Sequence, residues 1–171
     1  MMSYKLRTIA VGIFSLIIFC ISYPVLAKDF PLQKLLPLDL STQAATAAIK
    51  QCNDDGYKIS VAIVDQAGLL KVQLKADGAG PHTLDSSFRK AYTANSLRGS
   101  TQKYAVMAAN NPELQSLTRM NENILLLGGG FPIKIDDEIM GGIGVGGAPG
   151  AKLDETCARA ALKVLKADEM K

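Results

Sequence analysis

The run Lys58-Ile59-Ser60-Val61-Ala62-Ile63-Val64-Asp65-Gln66-Ala67-Gly68-Leu69-Leu70-Lys71-Val72-Gln73-Leu74-Lys75 holds two patterns joined by a turn. Residues 58–65 are almost continuously apolar, the mark of a strand covered on both faces. Residues 65–68 place Asp and Gly where a tight turn needs them. Over residues 69–75, Leu70, Val72 and Leu74 alternate with Lys71, Gln73 and Lys75, so the second strand has one wet face. Together they predict a β-hairpin, and hairpins build antiparallel sheets.

A second hairpin follows the same logic, with strands at 131–135 and 139–145 and Asp136-Asp137-Glu138 as the turn. Strand alternation sets Ile139, Gly141, Ile143 and Val145 on one face. Met140, Gly142, Gly144 and Gly146 fall on the other, which is nearly bare backbone and admits either a closely packed helix or a flat ligand. By letter, Gly142-Ile143-Gly144-Val145-Gly146-Gly147 is a G-x-G-x-x-G. It lies in a hairpin with Ala148-Pro149-Gly150 behind it, not at a strand-to-helix turn, so the dinucleotide fingerprint is rejected.

Helical periodicity fills the rest. A helix is expected over 40–54, capped by Asp39 or Ser41 and stopped by Gly56, with Ala45, Ala48, Ile49 and Cys52 on its core stripe. The Gly-rich loop 76–81 leads to His82, the only histidine, and to a helix over 84–97 capped by Thr83, with Leu84, Phe88, Ala91 and Tyr92 as its apolar stripe. Further helices are expected from Ser100 to about Ala109 and, briefly, after Asn111-Pro112. The last runs over 152–166, with Leu153, Cys157, Ala160, Ala161 and Val164 facing inward. The order is α, hairpin, helices, hairpin, α: one α+β domain with helices covering an antiparallel sheet.

The N-terminus has the zones that export requires. Lys5 and Arg7 precede an apolar run over residues 9–21, and Val25-Leu26-Ala27 offers a small-residue cleavage site. We expect residues 1–27 to be a signal peptide, 28–38 a lead-in and 39–167 the folded domain, in a periplasmic or secreted protein. Lys5 and Arg7 are two of 19 basic residues and the leader has none of the 16 acidic ones, so the remainder carries 17 against 16, a net charge of +1. That balance gives no electrostatic footprint for nucleic acid, and no basic amphipathic stretch points to a membrane after cleavage. Beyond the leader, Cys52 and Cys157 remain. In an oxidising compartment they form a disulfide or stay as two buried thiols. Because both sit on core stripes of the terminal helices, a Cys52–Cys157 disulfide is the expectation.

Familiar catalytic patterns are missing: one histidine, no C-x-x-C, no G-x-S-x-G, no P-loop. His82, at a helix entrance after a flexible loop, is either an ordinary surface histidine or an axial ligand or base. Lys90 and Tyr92 lie further along that helix, as a solvated charge and a core-edge aromatic or as site residues.

The chain resembles the GlcG/HbpS-like haem-binding family. The resemblance rests on Val61-Ala62-Ile63-Val64-Asp65 with Gly68, Asp77-Gly78-Ala79-Gly80, Lys90-Ala91-Tyr92-Thr93-Ala94, Gly128-Gly129-Gly130-Phe131-Pro132-Ile133, the glycine run 142–147 and Asp154-Glu155-Thr156-Cys157-Ala158. It spans about residues 38–166 and implies an αβα sandwich of profilin-like architecture, self-association into dimers or rings, and haem bound near the surface. It implies no shared iron ligand. His82, within Gly80-Pro81-His82-Thr83, matches a histidine found in part of the family, so it becomes the candidate ligand to haem iron, with Thr83, Arg89, Lys90 and Tyr92 as further haem-contacting candidates. A haem-binding protein without robust turnover is the primary expectation. An enzyme or accessory subunit acting on a small metabolite, using Lys90 and Tyr92, is the alternative.

Overall fold

A computed structural model describes residues 33–168; the expected leader and residues 28–32 of the lead-in lie outside the described residues. Among the described residues, five α-helices and four strands follow in the order α1 (Leu38–Asp54), β1 (Ser60–Asp65), β2 (Leu70–Lys75), α2 (His82–Leu97), α3 (Thr101–Asn110), a 3-10 turn (Pro112–Ser116), α4 (Leu117–Met120), β3 (Gly130–Ile135), β4 (Glu138–Gly146) and α5 (Ala151–Leu165). The strands form one antiparallel sheet, β2-β1-β4-β3, so both hairpins are present and β1 pairs with β4 at the centre. Helices α1 and α5 cover one face and α2 the other, giving an αβα sandwich.

The central pairing explains the two-sided burial of β1. Val61 and Ile63, with Val145 and Ile143 across the ladder, face the core under α1 and α5. Ala62 and Val64 face the other way, with Ala91 of α2. The second hairpin closes in two residues, Asp136 and Asp137, both at positive φ (51° and 64°), the turn geometry that matches strand twist. Met140 departs from simple alternation. The β3–β4 register slips between Ile133 and Lys134, and Met140 joins the α1/α5 core beside Ile143. A bulge adds a residue and resets which face the next side chain takes.

The N-terminal caps differ from expectation. Helix α1 begins at Leu38 behind Pro37, and Ser41 is already inside it, its Oγ donating back to the Pro37 carbonyl at 2.7 Å. Helix α2 begins at His82 behind Pro81, so Thr83 is a helical residue, not the cap. Cys52 and Cys157 are joined, Cα to Cα 5.5 Å, tying α1 to α5.

Candidate functional site

Glycines decide how α2 is oriented. A side chain at Gly144 would overlap the Ser87 carbonyl and come within 2.5 Å of Ala91 N, and one at Gly142 would overlap the Ala91 carbonyl. The helix axis therefore rides directly on β4, which only small side chains permit. Its inner face is Thr83, Ser87, Ala91 and Ala94, all buried. Of the two readings of the bare strand face, the close-packed helix is the one present.

The bulky stripe of α2 is consequently displaced outward. Leu84 is 37 % exposed and Phe88 and Tyr92 are half-buried. With Leu69 and Leu70, which are 66 % and 49 % exposed, they line an open groove of about 550 Å3 between α2 and the β1–β2 turn. Gln73, Asp85 and Asn123 contribute its polar rim.

The turn itself is built to receive the aromatic ring. Asp65 Oδ1 accepts from the backbone N–H of Ala67 and Leu69 at 2.9 and 3.0 Å, and Gly68 adopts φ 79°. A Cβ at Gly68 would lie 2.9 Å from Tyr92 Cε2, so glycine here serves both the turn and the ring seated on it. Phe88 packs against Tyr92 with centroids 6.2 Å apart. Among the described residues the Tyr92 hydroxyl has no hydrogen-bond partner.

The five α2 candidates separate by face. Tyr92 lines the groove. His82 is exposed in the first turn, its ring folded back beside Gly80, and does not line the groove. Arg89 lies between these positions. Its Nη1 reaches Asp85 at 3.4 Å and its Nη2 donates to the Ile124 carbonyl at 3.1 Å, while Nε is buried without a partner.

Thr83 and Lys90 point to the sheet, which corrects the expectation that they meet a surface ligand. Thr83 Oγ1 donates its single proton to the Gly80 carbonyl (2.6 Å), so Ser60, 2.7 Å away, must donate to it. Lys90 is 1 % exposed. Its Nζ donates to Asp154 Oδ2 and to the Val145 carbonyl, each at 2.8 Å, so its head group is held in the interior. Burial pushes the Asp154 carboxyl above its usual range, against the opposing pull of Lys90 and of the Ala148 N–H.

Sequence reasoning missed Leu69, Leu70, Gln73 and Asn123 as groove residues. The one available signal was Leu69-Leu70 directly after a surface turn, where two successive leucines cannot both face the core of a pleated strand. No group of three or more His, Cys, Asp or Glu side chains suited to a metal ion occurs among the described residues. The groove's apolar walls suit a flat apolar ring such as haem; the Tyr92 phenol lies among its lining, and the His82 imidazole lies on a different side of α2.

The family described as "Haem degrading protein HbpS-like" matches residues 36–163. GlcG of Escherichia coli K12 is 33% identical over 110 residues, covering 62% of this chain and 80% of GlcG. An uncharacterised 15.0 kDa protein of Citrobacter freundii is 30% identical over 113 residues, covering 66% of this chain and 80% of its own length. Among solved structures, a double mutant of Streptomyces reticuli HbpS superposes with a TM-score of 0.75 at 40% identity, covering 84% of this chain and 97% of HbpS. Klebsiella pneumoniae ORFY gives 0.76 at 26%, covering 83% and 99%. The PduOC:haem complex shares the fold at 0.74 and 21%, covering 81% and 100%. With the family matched from the first helix almost to the end of the last, this chain belongs to the HbpS-like family.

Proposed function

We propose that this protein is exported and binds haem against the outer side of α2, serving haem scavenging, sensing or storage. The observation that carries the reading is the groove: Leu69, Leu70, Leu84, Phe88 and Tyr92 leave a contiguous apolar surface open to solvent, which a soluble domain retains where a ligand or partner covers it. Membership in a family described by haem chemistry supports haem as that ligand. Haem is a flat, largely apolar ring with two anionic propionates along one edge, and when bound it supplies a redox-active iron and an intense visible absorption. The groove residues would hold the ring, the His82 imidazole or the Tyr92 phenol would offer the iron a donor, and Arg89 would meet a propionate by exchanging its Asp85 partner. A hemin titration tests the reading. A Soret band that saturates at fixed stoichiometry is expected, and no Soret response overturns it.

Export and self-association complete the proposal. The leader pattern supports export, and N-terminal sequencing of the exported protein should read Lys-Asp-Phe from Lys28. Retention of residues 1–27 in a membrane fraction overturns it. Exposed Val106, Met107 and Leu127 supply apolar surface for assembly, and a sedimentation experiment that finds only monomer at micromolar concentration overturns that part.

A further inference from the structure

We propose that the iron ligand in this groove is Tyr92, as phenolate, and not His82; the inference rests on the haem reading above. The two donors stand roughly 80° apart around α2, and of the two only Tyr92 lines the groove. At about 100° per residue, Leu84 and Phe88 stand roughly 160° and 120° around α2 from His82. A ring seated on Leu69, Leu70, Leu84 and Phe88 therefore faces away from the imidazole, which lies over Gly80 instead. Tyr92 is the one groove-lining residue whose side chain is both a strong iron donor and unengaged among the described residues.

Its surroundings are prepared for the role. The ring sits against Gly68, where any side chain would collide with it, and packs beside Phe88. That leaves the hydroxyl as the free end of a held lever, so little rotamer freedom is lost on ligation. The charged groups at the groove are Asp85 on its rim and Arg89 paired to Asp85, which offsets a carboxylate that would otherwise oppose a phenolate. Ligation would require the phenol to give up its proton, and the water or hydroxide carried by ferric hemin in solution would leave with it, so the oxidation state of the iron would not change.

Hemin titrations of wild type, Tyr92→Phe and His82→Ala decide the matter. Phenylalanine keeps the ring on Gly68 and Phe88 and removes an oxygen that bonds to nothing described, so the melting temperature should stay put and serves as the folding control. Tyr92→Phe should weaken hemin at least tenfold, about 1.4 kcal/mol. It should also abolish the phenolate-to-iron charge-transfer absorption and the phenolate modes in resonance Raman spectra excited within it. His82→Ala should keep affinity and spectrum. Tyr92→Phe with wild-type spectrum and affinity overturns the assignment while leaving haem binding in place, and loss of the wild-type spectrum in His82→Ala transfers the ligand to the histidine. A wild-type protein with no Soret response instead overturns the haem reading itself.

Discussion

Lys90 Nζ and Asp154 Oδ2 meet 2.8 Å apart in the interior, their side chains 2% and 5% exposed, joining the middle of α2 to the first turn of α5 past the end of the sheet. The lysine stem runs beside Gly144 and its head beside Gly129, so the glycines make the passage and the pair fills it. Asp154 Oδ1 also accepts from Ala148 N–H at 3.0 Å, which fixes the loop between β4 and α5.

Breaking this pair leaves a charge stranded. Lys90→Met alone or Asp154→Leu alone should cost about 3–5 kcal/mol, because the surviving partner stays buried and uncompensated. The double variant, with both charges gone and comparable volume kept, should recover more than half of that loss. Denaturant unfolding of all four proteins makes the cycle; additive losses would show that the two charges do not interact.

The pH dependence of that pair has a definite sign. Burial raises the Asp154 carboxyl above its unfolded value near 3.8, so between those two values the folded chain binds a proton that the unfolded chain has released. The stability this proton contributes is fully present below the unfolded pKa and is lost as pH rises through the folded one. The stability gap between wild type and Asp154→Asn should therefore widen on acidification from neutral pH through the carboxylate range. A gap that narrows would mean that attraction to Lys90 outweighs desolvation.

Gly144 tests the packing of α2 on β4. A valine there must displace the backbone of Ser87 and Ala91, which no rotamer change relieves. The loss should exceed the ~1–3 kcal/mol typical of an overpacked core. Melting within a degree or two of wild type would show the helix free to lift off the strand.

These same contacts show why the sheet was legible in the sequence and the site only partly so. Strand periodicity depends on nearest neighbours, so both hairpins and the two-sided burial of β1 follow from local pattern, whereas Glu138, expected in the second turn, opens β4 instead. The facing of α2 does not follow from local pattern. Hydrophobicity points Leu84, Phe88 and Tyr92 inward, whereas a helix riding on Gly142 and Gly144 must turn its smallest residues inward and its largest out. Likewise a lone lysine at position 90 has the look of a solvated charge, because the partner that makes it a buried one lies 64 residues later. Cys52 and Cys157 were legible as a pair only because each lies on the inner stripe of its own helix.

The disulfide should matter chiefly through the unfolded chain. It closes a separation of 105 residues between helices that already pack together, so its removal should leave the fold recognisable and cost about 2–5 kcal/mol. Cys52→Ala with Cys157→Ala should lower the denaturant midpoint by that amount with near-native circular dichroism. Two titratable thiols in the oxidised, unfolded wild-type protein would show that the bond does not form.

Leu70 separates ligand binding from stability. It begins β2 at the sheet edge with half its surface in water, so its replacement by glutamate removes little packing from the core. In the groove, however, that glutamate would stand among Leu69, Leu84 and Phe88, and any ring seated there would have to desolvate the carboxylate. Charge repulsion with an anionic ligand adds to the effect. Leu70→Glu should thus melt within a few degrees of wild type yet weaken hemin at least tenfold. The same change outside the groove, Val106→Glu on α3, should leave hemin affinity as it was. If Leu70→Glu binds hemin as tightly as wild type, the ring does not occupy the groove, and the exposed leucines must be explained by a protein partner instead.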